Sequence, residues 1–334
     1  MTTVTAHPLL ELRSLHVELQ VQKRKRTVLH RVDLRIGQGE AVGLVGETGS
    51  GKSMTARSIM RLLPEGAEAT GDILFEDRSV LEMDRQALRE FRRAKIAMIH
   101  QDPRNAMDPV RTIGDFLTES LRSLPKDERF ELARKVLAEV GIQDADRRFG
   151  QFPHQLSGGL LQRVMIAGVL MPGPSLILAD EPTTALDVTT QSEIMALLHD
   201  LQTSRGVGLL FITHDLDLAA AVTHSLAVMY AGVIVEQGPT TSMHEAPLHP
   251  YTAALMAARP STTEVARLQT IPGRPVAAFE TGPGCVFASR CPFVVDRCIQ
   301  ERPVPRPLGD HVVACHRAEE LRGELGHLSE ARTG

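Results

Sequence analysis

A run of three glycines followed by a lysine and a serine is the part of this sequence best suited to chemistry. In "GETGSGKS" the glycines are Gly46, Gly49 and Gly51, and the pattern G-x-x-x-x-G-K-[ST] ends at Lys52 and Ser53. Glycine backbones can turn successive N–H groups inward around phosphate oxygens; Lys52 adds positive charge, and the Ser53 hydroxyl can bind Mg²⁺. A Gly-rich turn without a ligand is the alternative, but the apolar strand before the loop and the helix after it favour phosphate binding.

Two adjacent carboxylates, Asp180 and Glu181, end the apolar segment "LILADEP". In open α/β sheets, ligands bind at the C-terminal ends of the strands. There Asp180 is placed to hold Mg²⁺ through water, and Glu181 to polarise the water that attacks a γ-phosphate. The alternative is a strand-end turn closed by Pro182; the phosphate loop upstream favours the catalytic interpretation.

The cysteines form a third group, and all of them lie near the C-terminus: Cys285, Cys291, Cys298 and Cys315. In a cytosolic protein this clustering favours a metal over disulfides. Four thiolates suit an iron–sulfur cluster or zinc, although the C-x2-C pairs usual for zinc are missing, and reduced cysteines without metal remain possible. His311 and His316 are nearby as replacement ligands, but solvated histidines are the simpler interpretation of both.

Composition restricts the classes of protein that these groups can belong to. The 334 residues suffice for two domains, and 43% are hydrophobic, enough for a sizeable core. A net charge of −4 argues against a general nucleic-acid binder, and the absence of Trp argues against stacking platforms for single strands. The N-terminus lacks the pattern of a signal peptide, and no apolar stretch has the length of a membrane helix. We therefore expect a cytosolic protein, or one attached to a membrane through a partner.

The elements that must position these groups alternate between strands and helices. Short strands are predicted over 9–21, 27–36 and 41–45, a hairpin strand over 71–80, and apolar strands over 175–179 and 208–213. Helices are predicted after the phosphate loop and over 84–99, 112–121 and 126–142, with a short helical piece within 244–260. Apolar strands between helices indicate a parallel sheet covered on both faces. The basic run 23–26 is interpreted as a solvated hairpin turn, and the Pro-, Gly- and Cys-rich tail as irregular.

The segment "HQLSGGLLQR", residues 154–163, adds a resemblance to a known family. With the phosphate loop and the acidic pair, it makes the chain similar to the nucleotide-binding subunits of ATP-binding cassette (ABC) transporters over almost its whole length. The resemblance implies nucleotide contacts from the Walker A residues Gly46, Glu47, Thr48, Gly49, Ser50, Gly51, Lys52, Ser53 and Met54. It also implies roles for Gln101 (Q-loop, Mg²⁺), Ser157, Gly158 and Gly159 (signature), Asp180 and Glu181 (Walker B and catalytic base), Asp187 (D-loop) and His214 (switch histidine).

The implied fold is α/β: a P-loop NTPase with a mostly parallel core sheet, an antiparallel β subdomain and a helical signature subdomain. Ser157 can cap the signature helix, whose positive end would form a second anion site. The resemblance implies a head-to-tail dimer in which each ATP lies between one subunit's Walker A loop and the other's signature. Alone, Gln101 would be a surface glutamine, His214 a core histidine and Asp187 an ordinary helix start; motif order favours the functional roles.

One stretch departs from the family. Members usually place an aromatic residue on adenine in the early hairpin, but "VQKRKRTV", residues 21–28, contains none. An arginine or lysine there could cover the base instead.

Several further stretches resemble the oligopeptide and dipeptide importer branch, including "DEPTTALDVTTQ", "HPYTAAL" and the Cys-containing tail. The resemblance implies two ATPase subunits on two membrane permease subunits at the cytoplasmic face of the membrane, fed by an extracytoplasmic solute-binding protein. It also implies a 4Fe–4S cluster on the four cysteines. We expect an ATP-binding domain over 1–245, with its helical subdomain at about 105–165, and a C-terminal extension over 246–334.

The predicted function is thus ATP-driven uptake of peptides. Nickel, glutathione or another solute of the branch is the alternative cargo. A soluble ABC ATPase acting on nucleic acid or ribosomes is a different class; such proteins usually carry two cassettes or a long coiled coil, and this chain has one set of motifs.

Overall fold

The computed structural model describes residues 7–22, 24–184, 186–258 and 271–330, with side chains up to residue 325. The strands are β1 Leu10–Val21, β2 Arg24–Ile36, β3 Ala41–Val45, β4 Glu68–Phe75, β5 Arg78–Ser79, β6 Ile96–Ile99, β7 Leu176–Asp180, β8 Gly208–Thr213, β9 Ser225–Tyr230, β10 Val233–Pro239, β11 Arg306–Leu308 and β12 His311–Val313. The helices are α1 Lys52–Ile59, α2 Arg85–Glu90, α3 Pro103–Ala106, α4 Ile113–Thr118, α5 Lys126–Glu139, α6 Ala145–Phe149, α7 Gly158–Leu170, α8 Val188–Arg205, α9 Leu216–Val222, α10 Thr240–Glu245, α11 Pro250–Ala257, α12 Asp296–Gln300 and α13 Ala318–Glu330.

These elements form two compact units. Unit one contains the described residues up to Ile36, the segment Val42–Leu81 and the described residues from Ile212 onward. Unit two contains Gly37–Ala41 and Glu82–Phe211. The phosphate loop therefore shares a unit with the C-terminal extension, whereas the acidic pair and the signature segment belong to the other unit.

The family resemblance implies an antiparallel β subdomain, and unit one contains an antiparallel sheet in the order β2-β1-β4-β5. β1 pairs with both neighbours, so that Leu10 faces Ile36 on one side and Phe75 on the other. The other strands of unit one pair in the order β3-β9-β10-β12-β11, with β3 parallel to β9 and the following pairs antiparallel. Every residue of β3 is buried, which is typical of a strand covered on both faces.

Unit two contains the parallel pair β6 and β7, with β8 beside β7. Here one prediction is wrong: the helix expected over 84–99 ends early. α2 continues as a π-helical turn over Phe91–Lys95, and Ile96–Ile99 form β6. The run "IAMI" pairs residue by residue with Leu176–Ala179. A short apolar run suits a helix and a buried strand equally, so this strand pairing decides its conformation.

The C-terminal extension is more regular than predicted. β12 pairs with β10 and with β11, while α12 and α13 add helices to the tail expected to be irregular. The helical piece expected within 244–260 contains α11, and its last two residues lie outside the described residues. Within the described ranges, no helix combines the length and apolar character needed to cross a membrane.

A buried carboxylate fastens the extension to β10. Glu236 is fully buried and accepts hydrogen bonds from the backbone N–H groups of Leu248 and His249, at 2.8 and 3.0 Å. The ring nitrogen Nδ1 of His311 lies 2.8 Å from the same carboxylate. His311 is therefore buried rather than solvated, contrary to expectation, and it belongs to a polar cluster that the chain must satisfy internally.

A buried cation fastens the extension to the phosphate loop. The Arg290 guanidinium donates to both carboxylate oxygens of Glu47, at 2.6 and 3.2 Å, and its side chain is only 3% exposed. It also donates to the carbonyls of Ile271 and Pro272. Because the guanidinium is buried and its hydrogen bonds are made, losing Glu47 would leave an uncompensated charge in the interior.

We predict that Arg290→Met lowers the free energy of unfolding by about 3–5 kcal/mol, because it breaks a buried ion pair from one side. The matched control is Arg274→Met. Arg274 makes the same two-bond contact with Glu280, at 2.9 and 3.2 Å, but its side chain is 76% exposed. Its loss should cost less than about 1 kcal/mol. Urea unfolding followed by circular dichroism measures both, and equal losses would contradict the assignment.

We also predict that His249 makes the fold sensitive to acid. Burial lowers the pKa of His249 to about 4, against an opposing effect of Glu236, while the pKa in the unfolded chain is 6.5. The unfolded chain therefore takes up a proton first as the pH falls. The stability that neutral His249 contributes, about 3 kcal/mol, is complete above pH 6.5 and is lost progressively down to about pH 4.

The variant His249→Asn tests this pH dependence. Nδ1 of His249 accepts from the N–H of Tyr251 at 3.0 Å, and an Asn oxygen can replace that acceptor without titrating. The variant should lose less unfolding free energy than wild type between pH 6.5 and 4. His199→Asn, on the exposed face of α8, should keep the wild-type slope; a wild-type slope in His249→Asn would refute the prediction.

Candidate functional site

The phosphate loop adopts a backbone that its glycines permit. Gly46 has φ +152°, and a side chain there would begin 2.1 Å from the carbonyl oxygen of Met229. Gly51 has φ +112°, and a side chain there would begin 2.8 Å from a methyl group of Leu29. At both positions another residue would clash as well as be strained, so the spacing of the motif follows from packing inside unit one.

Lys52 lies within the curve of this loop. Its side chain is buried, and its ammonium donates to the carbonyls of Gly46 and Glu47 at 2.7 and 3.1 Å. These contacts place a positive charge at the concave side of the loop. α1 begins at Lys52, and its N-cap residue Gly51 has no side chain with which to cap the first N–H groups. This end of the helix therefore suits an anion.

The hydroxyl groups of the loop differ in environment. Ser53, in the first turn of α1, is exposed, as is Thr48, and Met54 is half-buried. Ser50 is buried, and its hydroxyl oxygen has no hydrogen-bond partner within the part of the chain that the structure describes. A buried hydroxyl without a partner is costly, so a hydrogen bond from this hydroxyl to a polar ligand or a water would stabilise the loop.

Residues outside the motif hold the loop from behind, and sequence reasoning missed them. The hydroxyl of Tyr251 accepts from the N–H of Glu47 at 2.9 Å, and the carbonyl of Ser50 accepts from the N–H of Gly232 at 2.7 Å. Arg290 neutralises Glu47 as described above. An acidic residue inside a phosphate loop is itself a signal that a cation must lie nearby, but the sequence does not indicate which one.

The acidic pair is arranged within unit two. Asp180 ends β7, and Glu181 follows it with φ +48°, a left-handed conformation uncommon for a residue with a side chain. The Glu181 carboxylate accepts from the amide of Gln101 at 3.2 Å and from the hydroxyl of Thr184 at 3.0 Å. The structure thus brings together two predicted site residues that are far apart in the sequence.

The signature segment is also arranged within unit two. Ser157 is the N-cap of α7 and accepts from the N–H of Leu160 at 3.4 Å, as predicted. Asp187 is the N-cap of α8, with its carboxylate accepting from the N–H and the hydroxyl of Thr190 at 3.0 and 2.8 Å. These hydrogen bonds lower the pKa of Asp187. Thr190 also lies against Gly159, so one threonine contacts both predicted segments.

A cavity of about 170 Å³ joins Gln101 to the signature segment, since Gln101 and Gly158 both line it. Gln162, one turn into α7, lines it too. Gln162 is buried, and its amide nitrogen has no hydrogen-bond partner in the described ranges of the chain. This residue was missed, because a glutamine on an apolar helix gives no sequence signal of its own.

His214 belongs to unit one, with the phosphate loop. It follows β8 directly and is exposed, and the next residue, Asp215, caps α9 by accepting from the N–H groups of Asp217 and Leu218 at 2.9 and 3.1 Å. The predicted nucleotide residues are therefore divided: the loop and His214 lie in unit one, and the remaining motif residues in unit two.

The four cysteines line one small cavity in the extension, together with Phe293. All are free thiols. Burial, with a smaller contribution from the charges of the neighbouring thiolates, raises the pKa of Cys291 to about 11 and that of Cys315 to about 12. Yet within the described residues no group of three or more His, Cys, Asp or Glu side chains is arranged to hold a metal ion. The thiols gather as predicted, but the structure does not support the predicted metal site.

The ligands expected at the nucleotide motifs suit the groups present. Ser53 and Gln101 carry neutral oxygen donors and Asp180 a carboxylate, the ligand types that Mg²⁺ prefers. The phosphate loop offers backbone N–H groups, a lysine and a helix N-terminus, which suit phosphates.

Comparison with known proteins agrees with this geometry. Residues 29–184 match the family described as ABC transporter, and residues 235–298 match the family described as oligopeptide/dipeptide transporter, C-terminal region. The second match covers most of β10, all of α11 and three of the four cysteines.

Curated relatives are similar along nearly their whole length. The probable peptide ABC transporter ATP-binding protein y4tR of Sinorhizobium fredii is 41% identical over 94% of this chain and 96% of its own. The dipeptide transport ATP-binding protein DppD of Haemophilus influenzae is 39% identical over 92% of this chain and 95% of its own. The oligopeptide transport ATP-binding protein OppD of the same organism is 38% identical over 87% and 92%.

Solved structures share the fold. The dimeric ATP-binding cassette MJ0796, in a post-hydrolysis state with ADP and Pi, gives a TM-score of 0.62 at 28% identity, over 69% of this chain and 98% of that one. CbiO1 of Clostridium perfringens gives 0.61 at 27% identity, over 70% and 90%. With the phosphate loop, the acidic pair and the capped signature helix in place, this chain belongs to the ATP-binding subunits of the ABC transporter family, in the branch that carries the oligopeptide/dipeptide transporter C-terminal region.

Proposed function

We propose that this chain hydrolyses ATP to drive uptake of oligopeptides or dipeptides across the cytoplasmic membrane. The phosphate loop carries the proposal: its backbone curves around the Lys52 ammonium, which now rests 2.7 Å from the carbonyl of Gly46. Those carbonyl contacts are ones that phosphate oxygens can replace. The names of the relatives, which refer to peptide, dipeptide and oligopeptide transport, support peptides as the cargo.

In this proposal Gly46–Met54 bind the triphosphate. Lys52 shifts from the loop carbonyls to the β- and γ-phosphates, while the loop N–H groups hold their oxygens. Ser53, Asp180 and Gln101 would hold Mg²⁺, which neutralises charge on the phosphates when bound.

Glu181 would act as the general base in hydrolysis. It orients a water and takes its proton while the water oxygen bonds to the γ-phosphorus and the bond to the bridging oxygen of ADP breaks. The hydrogen bonds from Gln101 and Thr184 fix the carboxylate in its left-handed turn. His214 would contact the γ-phosphate as a hydrogen-bond donor.

The signature residues would act on a second ATPase subunit. Ser157, Gly158 and Gly159 lie at the positive end of α7, which suits the γ-phosphate bound by the partner's loop. Asp187 would lie at the same dimer contact. Binding of ATP would close a head-to-tail dimer, identical or mixed, and hydrolysis would open it.

The remaining assignments follow from that cycle. Two permease subunits would span the membrane, a solute-binding protein would deliver the peptide, and this chain would lie peripherally on the cytoplasmic face. We assign residues 1–245 to the ATP-binding domain, with its helical subdomain at about 105–165, and 246–334 to the extension.

We predict that Glu181→Gln lowers the turnover number for ATP by about 10²–10⁴-fold, because an amide cannot accept the proton. Binding of ATP should persist, since the amide keeps an acceptor for Gln101 and Thr184. Steady-state phosphate release and equilibrium nucleotide binding measure the two effects on the reconstituted complex. Glu128→Gln, an exposed carboxylate on α5, is the control and should behave as wild type. Undiminished hydrolysis at this subunit's site in Glu181→Gln would refute the role.

We further propose that the four cysteines hold a 4Fe–4S cluster. Each thiolate of such a cluster binds its own iron, so the four need not converge on one point as they would around zinc. The thiols share one cavity, and burial raises the pKa of Cys285, Cys291 and Cys315, so these three stay protonated unless a metal replaces the protons.

The prediction for this group is that the full chain, purified without oxygen, contains about four iron and four sulfide per molecule. Cys298→Ser should lose most of both, whereas Ser289→Ala, an exposed serine in the same segment, should retain them. Iron and acid-labile sulfide analysis gives the answer. Stoichiometric zinc, or no metal, in the wild-type chain would refute the cluster.

A further inference from the structure

An aromatic side chain of the extension lies exposed beside an arginine of β2. Phe279 occupies a single 3₁₀ turn, Ala278–Glu280, and is 47% exposed. The guanidinium carbon of Arg26 lies 4.5 Å from the centre of its ring. Isolated exposed apolar residues are ordinary, but here the ring lies within cation–π distance of a planar cation that is itself only half-buried.

The turn that carries Phe279 is fixed to β2. Nε2 of His30 lies 3.0 Å from the carbonyl of Ala278, which also accepts from the hydroxyl of Thr281 at 2.8 Å. Glu280 accepts from the N–H of Ala277 at 3.2 Å, which closes the turn. Phe279 is therefore held in one place relative to the strand that carries Arg26.

The same strand is fixed to the phosphate loop. The carbonyl oxygen of Val28 lies 3.4 Å from the point where a side chain on Gly51 would begin. Gly232 connects both: its N–H donates to the carbonyl of Ser50 at 2.7 Å, and its carbonyl accepts from the N–H of His30 at 2.8 Å. The Cβ of Ala278 lies 3.0 Å from where a side chain on Gly232 would begin. Loop, strand and turn thus form one contiguous support.

Arg26 lies along this support, a short distance beyond the loop. It precedes Val28 by two residues, about 7 Å along the strand, and the pairing of β2 with β1 shifts register between Thr27 and Leu29. A nucleotide whose phosphates occupy the loop extends its base away from the loop. The early hairpin, residues 21–28, offers no aromatic side chain to receive that base.

We propose that Arg26 and Phe279 form the base subsite, in which a purine stacks on one face of the Arg26 guanidinium while Phe279 supports the other face. This inference rests on the proposed binding of triphosphate at the phosphate loop. Arg26 is the contacting residue and Phe279 the positioning residue. A flat, delocalised guanidinium suits this role because it stacks on aromatic planes on both sides, whereas a lysine ammonium does not.

The test separates the base from the phosphates. Titration calorimetry on the full chain gives dissociation constants for a non-hydrolysable ATP analogue and for inorganic tripolyphosphate, both with Mg²⁺. Their ratio reports what the nucleoside contributes. Arg26→Ala and Phe279→Ala should weaken the nucleotide by about 5- to 100-fold, the usual effect of losing one stacking contact, and leave the tripolyphosphate constant within about twofold.

Three further variants sharpen the result. Arg24→Ala removes an equal charge from an exposed position on the same strand and should leave the ratio unchanged. Phe279→Tyr keeps the ring and should behave as wild type. Arg26→Lys keeps the charge and should still lose nucleotide affinity.

Each outcome bears on the proposal. If Phe279→Ala weakens both ligands equally, Phe279 serves the fold alone; if Arg26→Ala changes neither, the base binds elsewhere. Either result overturns the proposal. Failure of the wild-type chain to bind tripolyphosphate or the analogue would instead overturn the proposed function of the loop.

Discussion

The contact on which the phosphate loop most depends is the buried ion pair between Arg290 and Glu47. A carboxylate in such a loop repels the phosphates that the loop is suited to hold, unless a cation neutralises it. Arg290 does so through two hydrogen bonds, and its three remaining donors go to the carbonyls of Ile271 and Pro272 and to the hydroxyl of Tyr230. Because the cation comes from residues that follow the ATP-binding motifs, the extension is part of the loop's structure and more than an appendage to it.

Backbone hydrogen bonds extend the same dependence. Gly232, in the turn between β9 and β10, connects the loop at Ser50 to β2 at His30, and Ala278 of the extension packs against it. Segments far apart in the sequence thus meet at one glycine, where a side chain would displace at least one of them. A displacement of the extension would therefore move the phosphate loop through two contacts, that of Arg290 with Glu47 and that of Ala278 with Gly232.

The sequence predicted those features that depend on local chemistry or on a motif. The phosphate loop, the antiparallel strands before it and the Ser157 cap follow from residue types at fixed spacing. What could not be predicted depends on partners distant in the chain. "IAMI" is a strand because Leu176–Ala179 pairs with it, and β12 exists because β10 offers an open edge. Nothing local to Glu47 or Phe279 indicates Arg290 or Arg26, since each pair spans more than half of the chain.

The two units contain residues with different proposed roles. Lys52, which is proposed to bind phosphate, and Arg26, which is proposed to bind the base, lie in unit one. The contacts described above that position them lie in the same unit. The hydrogen bonds of Arg290 with Glu47 lie in unit one, and those of Glu181, the proposed general base, with Gln101 and Thr184 lie in unit two. Arg290→Met and Glu181→Gln therefore test two different parts of the proposed site, the support of the phosphate loop and the proposed general base.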